Sequence, residues 1–474
     1  MSVIRKISVI IFCCLSSISF AQNESQLGLT LNECINIALE NNLDIQQFKL
    51  GVKSSSVDYK QSKKDILPGL NANYNLGVND GRSIDPFTNS YINQELTFSN
   101  LGVNADLLLF NSFRNLNRIK QSKLNLNATE MELEEAKQDL TLRVTIGYIR
   151  ILNSRDLIKL SESRMQTTER QLNRLAVNYK EGAGSPVEYT DMQGQYALDK
   201  TSLIDAKNSY KAAIVDFIRL LNIDTITEDD FNYISGLVAS EKYPYSADKV
   251  YDDALENLAT FKSKQFKIDA AATGIKVSRA NYYPEISLFA QLNTNYSSLA
   301  ESFTENGFST VQTNGFVSIA NQDYPVFENQ TQFTADKISY EDQFNNNLST
   351  VVGVAVRIPI FNRLRARSEV KLQKIRLEEF ELDLLNTKQQ FKQDIEKAYN
   401  NMETAYDRYF VLKEQVEAYE ESYRINEMRF DNGVSNVVEY ITSKNNVDIA
   451  QLNLNQARYE YLLRVKILEY YRGN

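Results

Sequence analysis

Tyr179-Lys-Glu-Gly182-Ala-Gly-Ser-Pro-Val-Glu188-Tyr189 and Phe430-Asp-Asn-Gly433-Val-Ser-Asn-Val-Val-Glu439-Tyr440 follow one pattern, 251 residues apart (433 − 182 = 251). Both run aromatic, two polar residues, glycine, then Val-Glu-Tyr with the glutamate six positions after the glycine. The match extends upstream without a gap: Lys137-Gln138 meets Lys388-Gln389, Arg114 meets Arg365, Phe110-Asn111 meets Phe361-Asn362 and Gly102 meets Gly353. Downstream, Ala206 and Tyr210 meet Ala457 and Tyr461. Further upstream the shift changes. Ala38-Leu39-Glu40-Asn41 matches Ala254-Leu255-Glu256-Asn257, and Pro68 matches Pro284, a shift of 216. The chain is therefore a duplication, and its second copy carries 251 − 216 = 35 extra residues between Pro284 and Phe361.

Each unit predicts helix, strand, strand, very long helix, helix. After Pro68, Leu70, Ala72, Tyr74, Leu76 and Val78 alternate with Asn71, Asn73, Asn75, Gly77 and Asn79. The copy sets Ile286, Leu288, Ala290 and Leu292 against Glu285, Ser287, Gln291 and Asn293. The next strand sets Leu101, Val103, Ala105, Leu107 and Leu109 against Asn100, Asn104 and Asp106. Its copy sets Val352, Val354, Val356, Ile358 and Ile360 against Arg357. A half-buried soluble sheet alternates in the same way. A length of about 10 residues is what a tilted transmembrane strand needs, and this favours a membrane barrel. Polar segments 80–94 and 297–348 join the strands and are expected as extracellular loops.

A proline-free helical pattern runs from Arg114 to Lys180, and its copy from Leu364 to Asp431. At 1.5 Å per residue each spans roughly 100 Å. Turn residues break both, and second helices return over Val187–Leu221 and Val437–Tyr471. Apolar positions on these helices are sparse. Helices ringing a wet lumen and an ordinary antiparallel coiled coil both fit that pattern.

The N-terminus reads as a secretory signal. Arg5 and Lys6 precede the apolar stretch Ile7–Phe20, and Ser19 and Ala21 are small residues suited to cleavage before Gln22. A retained helix is disfavoured because a bilayer core needs about 20 residues. A lipoprotein would use Cys13 or Cys14, and neither follows a suitably small residue. Only Cys34 then remains, expected as a small buried hydrophobe. Removing the signal takes Lys+Arg from 52 to 50 against 61 Asp+Glu, a balance of −11 that argues against nucleic acid as partner. With no histidine, His-based catalysis and His-ligated metal sites are excluded. The glycine-rich turn at 182–185 lacks the lysine of a phosphate loop. No enzyme activity and no cofactor are expected.

Past the signal no apolar run is long enough for a spanning helix, so an exported chain is either soluble or a β-barrel. Four strands cannot close a barrel, and an open edge cannot face lipid, so the chain must oligomerise. Three copies give twelve strands; strand count alone also allows two.

On its duplicated unit, the strand pair before each long helix and the two glycine-containing tips, essentially the whole mature chain resembles the TolC-like outer-membrane efflux family. The resemblance implies a mixed α and β fold, with long antiparallel helical hairpins forming a periplasmic α-barrel below a transmembrane antiparallel β-barrel. It implies a homotrimer in the outer membrane and a periplasmic adaptor joined to an inner-membrane transporter. It places Gly182, Gly184, Ser185, Gly433 and Ser435 at tips that close the tunnel and dock the adaptor. Both acidic tip positions are glutamate where relatives often have aspartate. Ser435 stands where some have an arginine that ties the closed tip, and with few residues after Tyr471 the C-terminal extension of some relatives is not expected.

The expected organisation is a signal peptide (1–21), N-terminal helices (22–67), a first strand pair (68–111) and a first hairpin (112–223, tip 181–186). A linker (224–246), second helices (247–283), a second strand pair (284–362) and a second hairpin (363–474, tip 432–436) follow. Glu188 and Glu439 are expected to line the narrow tip, six carboxylates in a trimer that attract cations. The competing explanation is a helix N-terminal acid favoured by the dipole. Asp106 and Arg357 are repeat-equivalent lumen charges near the barrel base, which either pair or simply face water. A secreted coiled-coil scaffold or adhesin is the alternative, and the four alternating strands speak against it. Small-molecule efflux and protein export are not separable, because transporter and adaptor choose the cargo.

Overall fold

A computed structural model of the chain describes residues 29–224 and 241–473. The expected signal peptide and most of the linker 224–246 lie outside the described residues. The described residues divide into two compact units, one of residues 56–124 and 269–378, the other of 29–55, 125–224, 241–268 and 379–473.

The second of these units is helical, and each half of the chain opens it with a capped short helix. Helix α1 (Leu31–Asn41) starts at Thr30, whose hydroxyl accepts from the Glu33 amide while the Glu33 carboxylate accepts from the Thr30 amide at 2.7 Å. Helix α2 (Leu43–Lys64) follows. The long helix α3 (Arg114–Lys180) and the return helix α4 (Pro186–Leu221) complete the first half. In the second half, α5 (Ala247–Asn257) begins at the repeat-equivalent cap Ser246, followed by α6 (Ala259–Arg279).

The duplication also builds two equivalent cores. In the first, Cys34, Ala38 and Ile45 pack with Leu140, Val144 and Tyr148. In the second, Val250, Ala254 and Phe261 pack with Phe391, Ile395 and Tyr399. Each of these residues lies one repeat shift from its counterpart. Cys34 is fully buried, and desolvation pushes its thiol pKa up to about 12, in line with a purely packing role.

The other unit holds an antiparallel sheet of strands β1 (Gly69–Asn79), β4 (Leu96–Phe110), β5 (Glu285–Ser297) and β8 (Ser349–Arg357), in that order. Its register keeps the alternation in phase. Tyr74 lies opposite Leu101 and Ala72 opposite Val103, while Asn75 lies opposite Asn100 and Asn71 opposite Asn104. One face is thus apolar and the other rich in asparagine. β1 and β8 are the edge strands, and among the described residues neither has a partner on its outer side.

Four expectations need correction. The segment 297–348 is not a plain loop: it contains a long hairpin of β6 (Glu301–Ile319) and β7 (Gln322–Lys337), then a short helix α7 (Tyr340–Asn346). The smaller connection holds its own hairpin, β2 (Arg82–Ile84) with β3 (Tyr91–Asn93). Strand β8 ends at Arg357, so Ile358 and Ile360 lie beyond it; Pro359 lacks the N–H to continue the ladder. A bulge in β4 between Leu108 and Phe110 brings Phe110, not Leu109, opposite Ile286.

Beyond the sheet, helix α8 (Arg365–Asp431) has the same 67 residues as α3, and α9 (Val437–Tyr471) returns from it. Among the described residues no helix is long and apolar enough to cross a membrane.

Candidate functional site

The two hairpin tips are built alike. Gly182 (φ +77°) and Gly433 (φ +71°) take the left-handed conformation that lets a helix end and reverse. In the first tip the amides of Ala183 and Gly184 donate to the Asn178 carbonyl at 3.0 and 2.9 Å. In the second, Val434 and Ser435 donate to the Arg429 carbonyl at 2.8 and 3.3 Å. A side chain on Gly184 would put its Cβ 2.7 Å from the Tyr179 amide nitrogen. Its repeat equivalent, Ser435, carries a Cβ and sits on the longer of those bonds. Ser185 is the N-cap of α4 but makes no capping bond through its side chain.

The aromatic residues that frame the motif stack on each other. Tyr179 lies on Tyr189 with centroids 5.4 Å apart, and Phe430 on Tyr440 at 4.9 Å. Each stack clamps the end of one helix to the start of the next. Both rings are in the quoted sequence pattern, but their partnership is visible only once the turn is closed. Leu175, Met192, Phe430, Val437 and Tyr440 make a buried cluster, and Arg174 pairs with Asp431 while covering the Phe430 ring at 5.1 Å. Burial pushes the Tyr440 phenol up to about 12.

Glu188 and Glu439 occupy equivalent places in the first turns of α4 and α9. Glu439 is bound into its cap: its amide donates to the Asn436 side chain at 2.9 Å, and its carboxylate stands 3.9 Å from Arg429. The helix-dipole role foreseen for both acids is therefore available to them.

Deeper in the hairpins lies a charged cluster that the sequence reading missed. Asp199, fully buried, ion-pairs with Arg164 at 2.7 Å and accepts hydrogen bonds from Lys444 at 3.2 Å, Gln195 at 3.0 Å and Thr168 at 2.5 Å. Asp448 faces the same two cations, at 2.6 Å from Lys444 and 3.1 Å from Arg164. Its pKa is raised by burial, against the pull of Lys444 and Arg164. The cluster joins α3 and α4 to α9. The repeat equivalents of its four charges are Gln415, Ala450, Gln193 and Ala197, so the duplication holds it once. No motif announces it, since its side chains come from three separate stretches of the sequence.

On the sheet, the polar face carries Asn73, Asn100, Asn293 and Asn295 at its centre, with Asp106 opposite Phe289. Arg357 lies opposite Glu285 and pairs with it at 3.6 Å; Arg114 approaches the same carboxylate at 3.6 Å. Of the two outcomes foreseen for the lumen charges, pairing of Arg357 with Asp106 is not formed, because their register positions differ. The Phe289 ring covers Gly353 opposite it, leaving only 2.6 Å for a Cβ there. The apolar face is open: Leu70, Leu76, Val78, Val352, Val354 and Val356 are all more than half exposed. Aromatic side chains mark both ends of the sheet. Tyr296, Tyr340 and Phe344 are in ring contact at one, and Phe110 packs edge-on to Phe113 at the other, where Tyr283 and Phe361 are also exposed. Bands of this kind flank the apolar belt of transmembrane barrels, a belt about 25 Å tall.

The profile of the family described as Outer membrane efflux protein matches residues 34–222 and 250–474, both halves of the chain. The outer membrane efflux protein BepC of Brucella suis is 18% identical over 384 residues, covering 81% of this chain and 72% of the relative. The alkaline protease secretion protein AprF of Pseudomonas aeruginosa is 19% identical over 95% of this chain and 85% of its own. The outer membrane protein TolC of Escherichia coli is 19% identical over 85% and 74%. Among solved structures, CusC superposes with a TM-score of 0.72 at 15% identity, covering 96% of both chains. VceC of Vibrio cholerae gives 0.72 at 13% identity, over 94% of this chain and 96% of that one.

Proposed function

We propose how this chain works from the premise that it belongs to the outer membrane efflux protein family. It is an outer-membrane channel that extends into the periplasm and provides the exit duct of a tripartite efflux or secretion system. The observation that carries its mechanism is the four-stranded sheet, with an exposed apolar face, an asparagine-rich face and two unpaired edges.

Neither edge can remain open in hydrocarbon, because each unpaired backbone group there costs several kcal/mol. Edge β1 of one copy pairs with β8 of the next, and three copies close a twelve-stranded barrel. The asparagine face then lines the lumen, wet and nearly uncharged apart from Asp106, Arg357 and Glu285. A duct of that character passes varied cargo, which leaves selection to its partners.

The tips form a gate. Glu188 and Glu439 of three copies bring six carboxylates to the constriction, where they favour cations. Gly182, Gly184, Ser185, Gly433 and Ser435 shape the turns on which a periplasmic adaptor docks, and the adaptor links the channel to an inner-membrane transporter. The names of relatives span efflux and protease secretion, so this chain's cargo follows from its adaptor and transporter.

The gate is tested in planar bilayers with Glu188→Gln plus Glu439→Gln. We expect the doubly neutral channel to lose most of its preference for cations while keeping its trimeric mass. Unaltered ion selectivity would remove both glutamates from the gate.

A further inference from the structure

The hairpin β6–β7 has no role in the duct described above, and its surface is unusual. The register pairs Phe303 with Ala335, Glu305 with Phe333, Phe308 with Thr331, Gln312 with Phe327 and Phe316 with Pro325. The β7 members of these pairs lie two or four residues apart, and residues an even number apart on a strand share a face. Phe303, Phe308, Phe316, Phe327 and Phe333 therefore stand on one face. Each is more than half exposed. Away from the turn the opposite face carries Thr304, Ser309, Glu328, Gln330 and Thr334, while nearer the turn it also exposes Val317, Ile319, Tyr324 and Val326.

With an aromatic side chain offering roughly 150–250 Å², the stripe exposes on the order of 600 Å². That is at the top of the range for the largest apolar patch on a soluble monomer, about 300–600 Å². A two-stranded hairpin alone is also marginal in water. Something covers this face.

Its charge decides between occupants. Residues 301–337 contain five acidic side chains and only Lys337 to oppose them. Surface elements that lie on anionic headgroups carry lysine and arginine on their polar side, and this one lacks them. Its position points to a second copy. The hairpin leaves β5 at Ser297 and returns through α7 to β8, the sheet edge at which the neighbouring copy pairs. It also stands at the strand ends opposite those where α3 and α8 depart. At about 3.3 Å per residue, the 19 residues of β6 reach roughly 60 Å, far beyond what a membrane-crossing strand needs.

We propose that the β6–β7 hairpins of the assembled copies pack phenylalanine face to phenylalanine face, making a protein–protein interface at the extracellular mouth. This rests on the trimer reading given above.

The test places a nitroxide at Phe308→Cys, with Ser309→Cys on the polar face as control, both in a Cys34→Ala background and in lipid nanodiscs. Native mass is read on the same samples. We expect the label at 308 to be shielded from both a water-soluble nickel chelate and lipid-dissolved oxygen, and to show spin coupling between copies. The label at 309 should meet the chelate. In an intact trimer, oxygen access at 308 would assign the face to lipid and overturn the proposal. Chelate access there would leave it bare and overturn it equally. A sample that is not trimeric would instead refute the trimer reading on which the proposal stands.

Discussion

Cys34 illustrates how far a single residue can be read from sequence. Its isolation after loss of the signal pointed to burial, and its raised thiol pKa gives that a measurable form. A pKa raised to about 12 means that almost no thiolate exists at pH 8, where an unfolded cysteine near 8.5 is partly ionised. Maleimide should therefore leave Cys34 unmodified in folded protein at pH 8 and modify it rapidly in urea; equal rates would refute the packing assignment. The charged cluster is the opposite case. Arg164, Asp199, Lys444 and Asp448 look like ordinary helix-surface charges in the sequence, and only the packing of α9 on α3 and α4 buries them together. Lys444→Met leaves Asp199 and Asp448 facing Arg164 alone. We expect a loss of about 3–5 kcal/mol, the usual cost of breaking a buried pair from one side. It should appear as a lowered thermal midpoint by circular dichroism, and an unchanged midpoint would show that the cluster is not structural.

At the scale of the element, the helices were almost fully legible. Both long helices carry no proline, end at a glycine turn and match the expected bounds to within a residue. The centre of the sheet was legible because its pleat puts asparagine and aliphatic residues on opposite faces, and the misses fall at its end, where β4 bulges and β8 stops before Pro359. The β6–β7 hairpin was not, for a physical reason. Bulges between Glu305 and Phe308, and between Gln312 and Phe316, shift the phase of the alternation, so no run of period two survives along β6. Its turn is also unsignalled, since Ala320 and Asn321 both take positive φ without a glycine. The same holds where strand becomes helix. Ser112 and Phe113, and their equivalents Arg363 and Leu364, all adopt positive φ, which ordinary residues disclose in no motif. The tips are the element where backbone geometry is most directly testable. Gly182→Ala forces a Cβ into the left-handed region at roughly 1–2 kcal/mol. Hydrogen exchange of the amides at 183 and 184 should accelerate about 5- to 30-fold while the global midpoint stays put. Unchanged exchange would mean that the tip does not depend on that turn.

At the scale of the whole molecule, the duplication explains why one chain offers two tips, two long helices and two strand pairs, and its differences show where the halves diverge. The buried charges at Asp199 and Lys444 occur once, the inserted hairpin occurs once, and Gly184 is replaced by Ser435. The glutamates at both tips are shared, which fits both a proposed common constriction and a helix N-terminal acid in each copy. All of this depends on the sheet closing with other copies of itself. The direct test is the native mass of detergent-extracted protein, followed by its conductance in a planar bilayer. A stable trimer with discrete, cation-preferring openings is the predicted result. A water-soluble monomer without conductance would contradict the channel, and a conducting dimer would contradict the twelve-stranded closure.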